Sequence, residues 1–274
     1  MKYPSRPPLS GTIIRSFYRA VSLTLPFCLS WVLCCFLVSC VSSNNTGAAL
    51  PRSEIIASWN VRAITVCAGG CDFSSLQAAV DAFSPEYDCI VLMDPVLVES
   101  GIVIAGKTVE IRGFGPELSA ISGGDSPDAA ADRIFRVEET GALILRDLAV
   151  RNGQPRAGYR CGGGISNSGS LYMKNCIVSD NRAVYAAGIW NQGSIEAVDC
   201  VIARNRTVPP TTAEIMDATG CTGSGGGIKT EEGSRLVMRG CSFLDNSTMK
   251  KGGGIFFSCE SRGELTDCEF RGNY

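Results

Sequence analysis

The sequence predicts an all-β chain wound into a right-handed parallel β-helix. A short capping helix should close its N-terminal end, and a hydrophobic export helix should precede it. Three observations carry this reading. A glycine pair, a cysteine and an asparagine recur in fixed order through the last two-fifths of the chain, short runs between them alternate like strands, and a basic leader precedes a long apolar run at the start.

The first 19 residues hold Lys2, Arg6, Arg15 and Arg19 and no acid, and an apolar run follows from Ala20 to Val41. A basic leader before an apolar stretch marks a secretory signal or signal anchor. Leu37-Val38-Ser39-Cys40 resembles a bacterial lipobox, which makes Cys40 the candidate lipidation position. The run is also nearly long enough to span a bilayer at ~1.5 Å per residue. Lipoprotein signal, cleaved signal and retained anchor therefore all stand open. Residues 1–41 are read as the export segment, 42–61 as a tether rich in Ser, Asn and Ala, and 62–274 as the solenoid. The expected location is the cell surface, the outer membrane or the outside of the cell, with membrane association through the N-terminus.

Ser74-Ser75-Leu76-Gln77 resembles a capping box, and Leu76, Val80 and Phe83 follow at helical spacing. A helix here would cover the apolar core and open strand edges that a solenoid exposes at its end. Strands are expected at Cys89–Met93, Gly101–Ile104, Thr108–Arg112, Arg133–Val137, Ala142–Leu145 and Leu148–Val150.

The regular repeat comes next. Gly163-Gly164-Ile165 recurs as Ala187-Gly188-Ile189, Gly226-Gly227-Ile228 and Gly253-Gly254-Ile255. Each copy leads to a cysteine (Cys176, Cys200, Cys241, Cys268) and, five residues later, to an asparagine (Asn181, Asn205, Asn246, Asn273). The cysteines lie 24, 41 and 27 residues apart, the long step holding an insertion near Thr207–Ser224. A period of this size with two or three short strands suits one turn of a parallel β-helix. Equivalent residues then stack in columns ~4.8 Å apart. Leu171 and Met173 should share one face, Cys176 and Val178 the other. The cysteine column reads as buried small apolar side chains. The asparagine column reads as turn residues that tolerate a left-handed backbone and bond to one another. Leu148 falls in the cysteine column and Asn152 near the asparagine column.

Composition removes several function classes. Apolar residues are 45% of the chain, so it can bury a core, and a net charge of −2 gives no basic stripe for nucleic acid. The chain has no histidine, which removes imidazole-based catalysis and the common histidine metal sites. No cofactor or metal is expected. Ten of the 14 cysteines lie outside the export segment, an even number that permits disulfides in an exported domain. Cys67-x-x-x-Cys71 reads as a local bridge, a bridge from one of the two to Cys89, or half a zinc site. Asn44-Asn45-Thr46, Asn205-Arg206-Thr207 and Asn246-Ser247-Thr248 are glycosylation sequons.

Phe243-Leu244-Asp245-Asn246 followed by Gly252-Gly253-Gly254-Ile255 resembles the paired F-x-x-N and G-G-A/I/L/V motifs of the chlamydial polymorphic outer membrane proteins. Phe270-Arg271-Gly272-Asn273 is a second F-x-x-N, while Val178 and Ile202 replace the phenylalanine in two coils. The likeness covers about 115 residues, Cys161 to Tyr274, and residues 62–153 look like N-terminal coils of the broad pectin-lyase-like superfamily. This resemblance implies a surface passenger involved in adhesion. Those relatives carry a C-terminal barrel, whereas this sequence stops at Tyr274 in mid-repeat, so a fragment or a covering partner is expected.

Two functions follow. The first is a non-enzymatic adhesin-like module that binds a surface glycan or a host or neighbouring protein. Tyr159, Tyr172, Tyr185 and Trp190 are its candidate sugar contacts. The second is a carbohydrate-active enzyme, a polysaccharide lyase or hydrolase. For it the columns offer Asp147, Asp199 and Asp267, and Asp180 and Asp245 with Arg204 between. Asp199 and Asp267 should lie about 10 Å apart, beyond a retaining pair. The acids read more simply as solvated turn residues, and no catalytic set is assigned.

Overall fold

The structure, a computed structural model, describes residues 51–156, 160–209 and 224–274. The export segment with Cys40, the first part of the tether with Asn44, Tyr159 and most of the insertion after Thr207 lie outside the described residues. Among the described residues no helix is long and apolar enough to cross a membrane.

Parallel strands form three long sheets of eight, seven and six members. Each coil visits them in turn, as Ser170–Lys174, Ile177–Ser179 and Ile189–Asn191 do before the next coil starts at Ser194. The register does not slip. Leu171 lies beside Leu143 and Ile195, Val178 beside Val150 and Ile202, and Ile165 beside Phe135 and Ile189. These residues are fully or almost fully buried in one continuous core. Each such aliphatic side chain contributes roughly 1.5–3 kcal/mol by leaving water.

Upstream of the repeat three strands were not legible in the sequence, Ala63–Val66, Val96–Val98 and Ala120–Ser122. They have only three or four residues, too few for an alternating pattern to stand out. The facing of the repeat also differs from expectation. Leu171, Met173, Cys176 and Val178 are all buried. The chain bends between the first and second sheets at Asn175 (φ 49°), so both pairs point inward. Asp147, Asp199, Gly240 and Asp267 take the same left-handed turn in other coils. Short polar residues and glycine enter that region at the least cost.

The asparagines prove not to be the left-handed residues of the second bend. That conformation belongs to the residue before each one: Asp180, Arg204, Asp245 and Gly272. Asn152, also left-handed, belongs with these. Gly153 occupies the asparagine level, donating its N–H to Asn181 Oδ1 at 2.8 Å. The asparagines point inward and form a chain of amides. Asn181 donates to Asn205 at 3.0 Å, Asn205 to Asn246 at 3.0 Å and Asn246 to Asn273 at 2.9 Å. Each Nδ2 also donates to a main-chain carbonyl, of Val150, Val178, Ile202 and Phe243 respectively.

This ladder explains why the glycine motif travels with asparagine. A Cβ at Gly164 would lie 2.9 Å from Asn181 Nδ2, and one at Gly188 3.0 Å from Asn205 Cγ. The second glycine of each pair leaves room for the amide. The phenylalanine of the first F-x-x-N, Phe243, fills the core column three residues before Asn246, and the exposed Phe270 stacks on it with ring centroids 4.6 Å apart.

The predicted cap is α2 (Leu76–Ala82), preceded by α1 (Arg52–Trp59). Leu76, Ala79 and Val80 of α2 pack on the core. Ser75 is its N-cap, but Gln77 does not complete a capping box. Glu99 from the next coil takes that role, accepting from the Leu76 and Gln77 N–H groups at 2.6 and 2.9 Å. Gln77 instead accepts from Val103 N at 2.7 Å, covering the edge strand of the third sheet. Helix α1 lies within the stretch read as tether. It buries no residue, yet Arg52 donates to Met93 O (2.8 Å) and Leu118 O (2.6 Å) and stacks over Phe114. Trp59 stacks on the same phenylalanine at 5.5 Å.

Candidate functional site: the Trp190 cleft

On the third sheet Ile189 and Asn191 point inward, which turns Trp190 outward. The in-register pairing sets Trp190 between Ser166 and Lys229, with Phe256 beyond. The turn after Ile228–Thr230 brings Glu231 under the indole. Trp190 Nε1 donates to Glu231 Oε1 at 2.7 Å, Lys229 Nζ pairs with the same oxygen at 2.6 Å, and Ser258 donates to Oε2 at 3.0 Å. The Lys229 side chain is only 4% exposed and that of Glu231 25%, so this pair is partly shielded from water and salt. Burial pushes the Glu231 carboxyl up, but the bonds from Lys229, Trp190 and Ser258 outweigh it and hold it below the usual carboxylate value. Glu231 is thus a fixed anion with its lone pairs engaged, suited to holding the indole and poorly suited to giving or taking a proton.

Beside this network lies an open cleft of about 600 Å³, lined by Trp190 and Glu231 with Glu139, Ser168, Gln192 and Glu232. Ser168 and Gln192 are joined by a 3.1 Å hydrogen bond. Tyr185 stands in the preceding turn, its ring centroid 6.0 Å from Lys229 Nζ. It bridges to Cys161, whose thiol burial pushes up to about 12. Of the candidate aromatics in the described residues, Tyr172 stands apart from Tyr185 and Trp190. Tyr172 belongs to the first sheet, where the Arg146 guanidinium lies over its ring at 5.1 Å. Tyr185 and Trp190 both neighbour Lys229, Tyr185 by its ring and Trp190 by strand register and through their shared partner Glu231. Those two charged residues were missed, although I-K-T-E aligns with I-W-N-Q and sets Lys229 directly beside Trp190.

The recurrent residues sit elsewhere. Cys176, Cys200, Cys241 and Cys268 are free thiols, the first three fully buried and Cys268 half-buried. They bond to carbonyls, as Cys200 does to Val198 O at 3.2 Å. The hydrogen bond with Cys176 heads the causes that push the Cys200 thiol up to about 12. Cys67 and Cys71 form a disulfide, and Cys89 is free and buried. Among the described residues no group of His, Cys, Asp or Glu is arranged to hold a metal ion. Asn205 and Asn246 are 0% exposed inside the ladder, so neither sequon is open to a glycan in the folded chain.

The column acids are turn residues. Asp180 takes a two-pronged bond from Arg204, at 2.8 and 2.7 Å. Asp199 and Asp267 are two rungs apart with Gly240 between, about 10 Å by strand spacing.

Comparison with known proteins gives one result. Residues 134–274, just over half of the chain, match the family described as the right handed beta helix region. No curated protein sequence matches the chain. The match starts where the strands become regular, at the buried Ile134 and Phe135, and runs through every coil that carries the asparagine ladder. The chain therefore belongs to the right-handed β-helix family.

Proposed function

We propose that this protein is an exported surface β-helix that binds a glycan or a protein partner through the Trp190 cleft and does not transform what it binds. The observation that carries the reading is the locked indole. Trp190 is fixed by Glu231 at the edge of a roughly 600 Å³ cleft whose other lining groups are carboxylates, an amide and a hydroxyl. An aromatic wall with a few placed polar groups is the usual composition of a small-ligand site. The committed state of Glu231 and the wide spacing of Asp199 and Asp267 argue for binding over catalysis. The basic leader and apolar run support export. The G-G-I and F-x-x-N motifs, similar to those of chlamydial polymorphic outer membrane proteins, support an adhesin-like role at a cell surface.

The test is a glycan array and a cell-surface binding assay with the purified protein and its Trp190→Ala variant. Binding that falls at least tenfold in the variant, with no product in reducing-end and unsaturation assays on the bound glycans, fits the proposal. Equal binding by both proteins removes the cleft from the account. Product formation favours the enzyme instead.

A further inference from the structure

We infer that the Trp190 cleft takes a lysine side chain from a basic segment of a protein partner. This deepens the reading of the cleft as a binding site and rests on it.

The charge of the cleft is unbalanced. Of its six lining residues three are carboxylates, Glu139, Glu231 and Glu232, and none is basic. Every cation nearby is committed elsewhere. Lys229 pairs with Glu231 at 2.6 Å. Arg136, two strands before Trp190 in the same outward column, pairs with Glu138 at 3.0 Å. Lys107 donates to the carbonyls of Val80, Asp81 and Phe83, and Arg235 lines the neighbouring cleft on the first sheet. Glu139 and Glu232 are exposed and have no ion-pair partner among the described residues.

Hydrogen-bonding capacity points the same way. An ionised carboxylate only accepts. Trp190 Nε1 is spent on Glu231, and Ser168 already donates to Gln192 Oε1 at 3.1 Å. Among the described residues this leaves the Gln192 amide nitrogen as the one side-chain donor the lining has to spare. A lysine ammonium carries three donors and no acceptor, which suits such a wall. Sugar hydroxyls bring acceptors along with their donors, and most of those acceptors would stay unmatched here.

The indole completes the fit. Tryptophan holds a cation over its face better than the other aromatic rings, and the bond to Glu231 fixes this one in advance. The molecule shows the same recognition within itself. Lys229 Nζ lies 6.0 Å from the Tyr185 ring centroid and 2.6 Å from Glu231. A partner's lysine would meet a similar set from the open side: the Trp190 ring with Glu139 and Glu232. Its apolar stem can lie along the ring while the ammonium stays with the acids. The strand of Trp190 pairs on both sides, so the partner presents a side chain and adds no strand.

The experiment is fluorescence anisotropy of a labelled Gly-Ser peptide carrying lysines, titrated with the purified full chain. Its acetyl-lysine counterpart keeps the stem and loses the charge. The lysine peptide should bind about tenfold tighter than the acetylated one. Glu139→Gln combined with Glu232→Gln should weaken it about tenfold, and so should Trp190→Ala. Glu117→Gln combined with Glu269→Gln removes the same charge elsewhere and should change nothing. The four glutamates are exposed, and an unchanged thermal midpoint certifies both double variants. Equal binding of the two peptides overturns the inference, as does an equal effect of the two double variants. Glucosamine or neutral glucose oligosaccharides that bind through Trp190 while the lysine peptide does not also overturn it, and leave the cleft standing as a glycan site. Lysine binding that Trp190→Ala leaves untouched removes the cleft and the inference together.

Discussion

Asn205 sits in the middle of the amide ladder, and replacing it with alanine tests what holds the coils in register. Its Nδ2 donates to Val178 O at 2.9 Å and Asn246 Oδ1 at 3.0 Å, and its Oδ1 accepts from Asn181 N at 3.2 Å and Asn181 Nδ2 at 3.0 Å. At a net ~1 kcal/mol each, four lost bonds come to about 4 kcal/mol, and no water is at hand to repair a site that is 0% exposed. That is a large share of the ~5–15 kcal/mol by which a domain is stable. Asn273 is only partly buried, so water can replace its bonds and Asn273→Ala should cost ~1 kcal/mol or less. Denaturant unfolding followed by tryptophan fluorescence measures both. The decisive quantity is the gap between the two variants, because solenoids unfold with neighbour coupling that both variants share. A cost for Asn205→Ala below about 1.5 kcal/mol, or no larger than that for Asn273→Ala, would refute the claim that the ladder is a structural spine.

Two further outcomes follow from the same geometry. Ala186 holds a left-handed φ of 48° where Gly162, Gly225 and Gly252 stand in other coils, so Ala186→Gly should raise stability by about 0.5–1 kcal/mol. Gly188→Ala should do the opposite, since its Cβ would strike the Gly227 carbonyl, and thermal melts of the pair must move in opposite directions. Alkali should also weaken the fold. Burial pushes the Cys161 thiol up to about 12, against ~8.5 in an unfolded chain. A raised thiol favours the folded state's neutral form, so its contribution is full below pH ~8.5 and is lost as pH climbs toward about 12. The fall in unfolding free energy above pH ~8.5 should be shallower in Cys161→Ala than in the parent, and parallel curves would count against it.

The sequence by itself determined the winding. Four copies of a glycine–cysteine–asparagine pattern at a near-constant period specify stacked coils, because a column residue meets its own equivalent in the next rung. It also determined the cap, since Leu76 and Val80 at helical spacing have only the open end of the core to cover. The tertiary structure decided which neighbour each polar residue meets. Gln77 turned out to cover a strand edge while Glu99, more than twenty residues on, capped the helix. The left-handed position slid one residue ahead of each asparagine, because an amide that must bond its equivalents has to point inward and the bend falls on its predecessor. The Trp190 cleft was half legible. An outward tryptophan followed from strand alternation, but its lock on Glu231 bridges 41 residues and the insertion, a separation that no local pattern encodes. Tyr172 parted from it for the same reason: residues 18 apart in sequence lie on different sheets, because a bend of one left-handed residue turns the chain from one wall of the solenoid to the next.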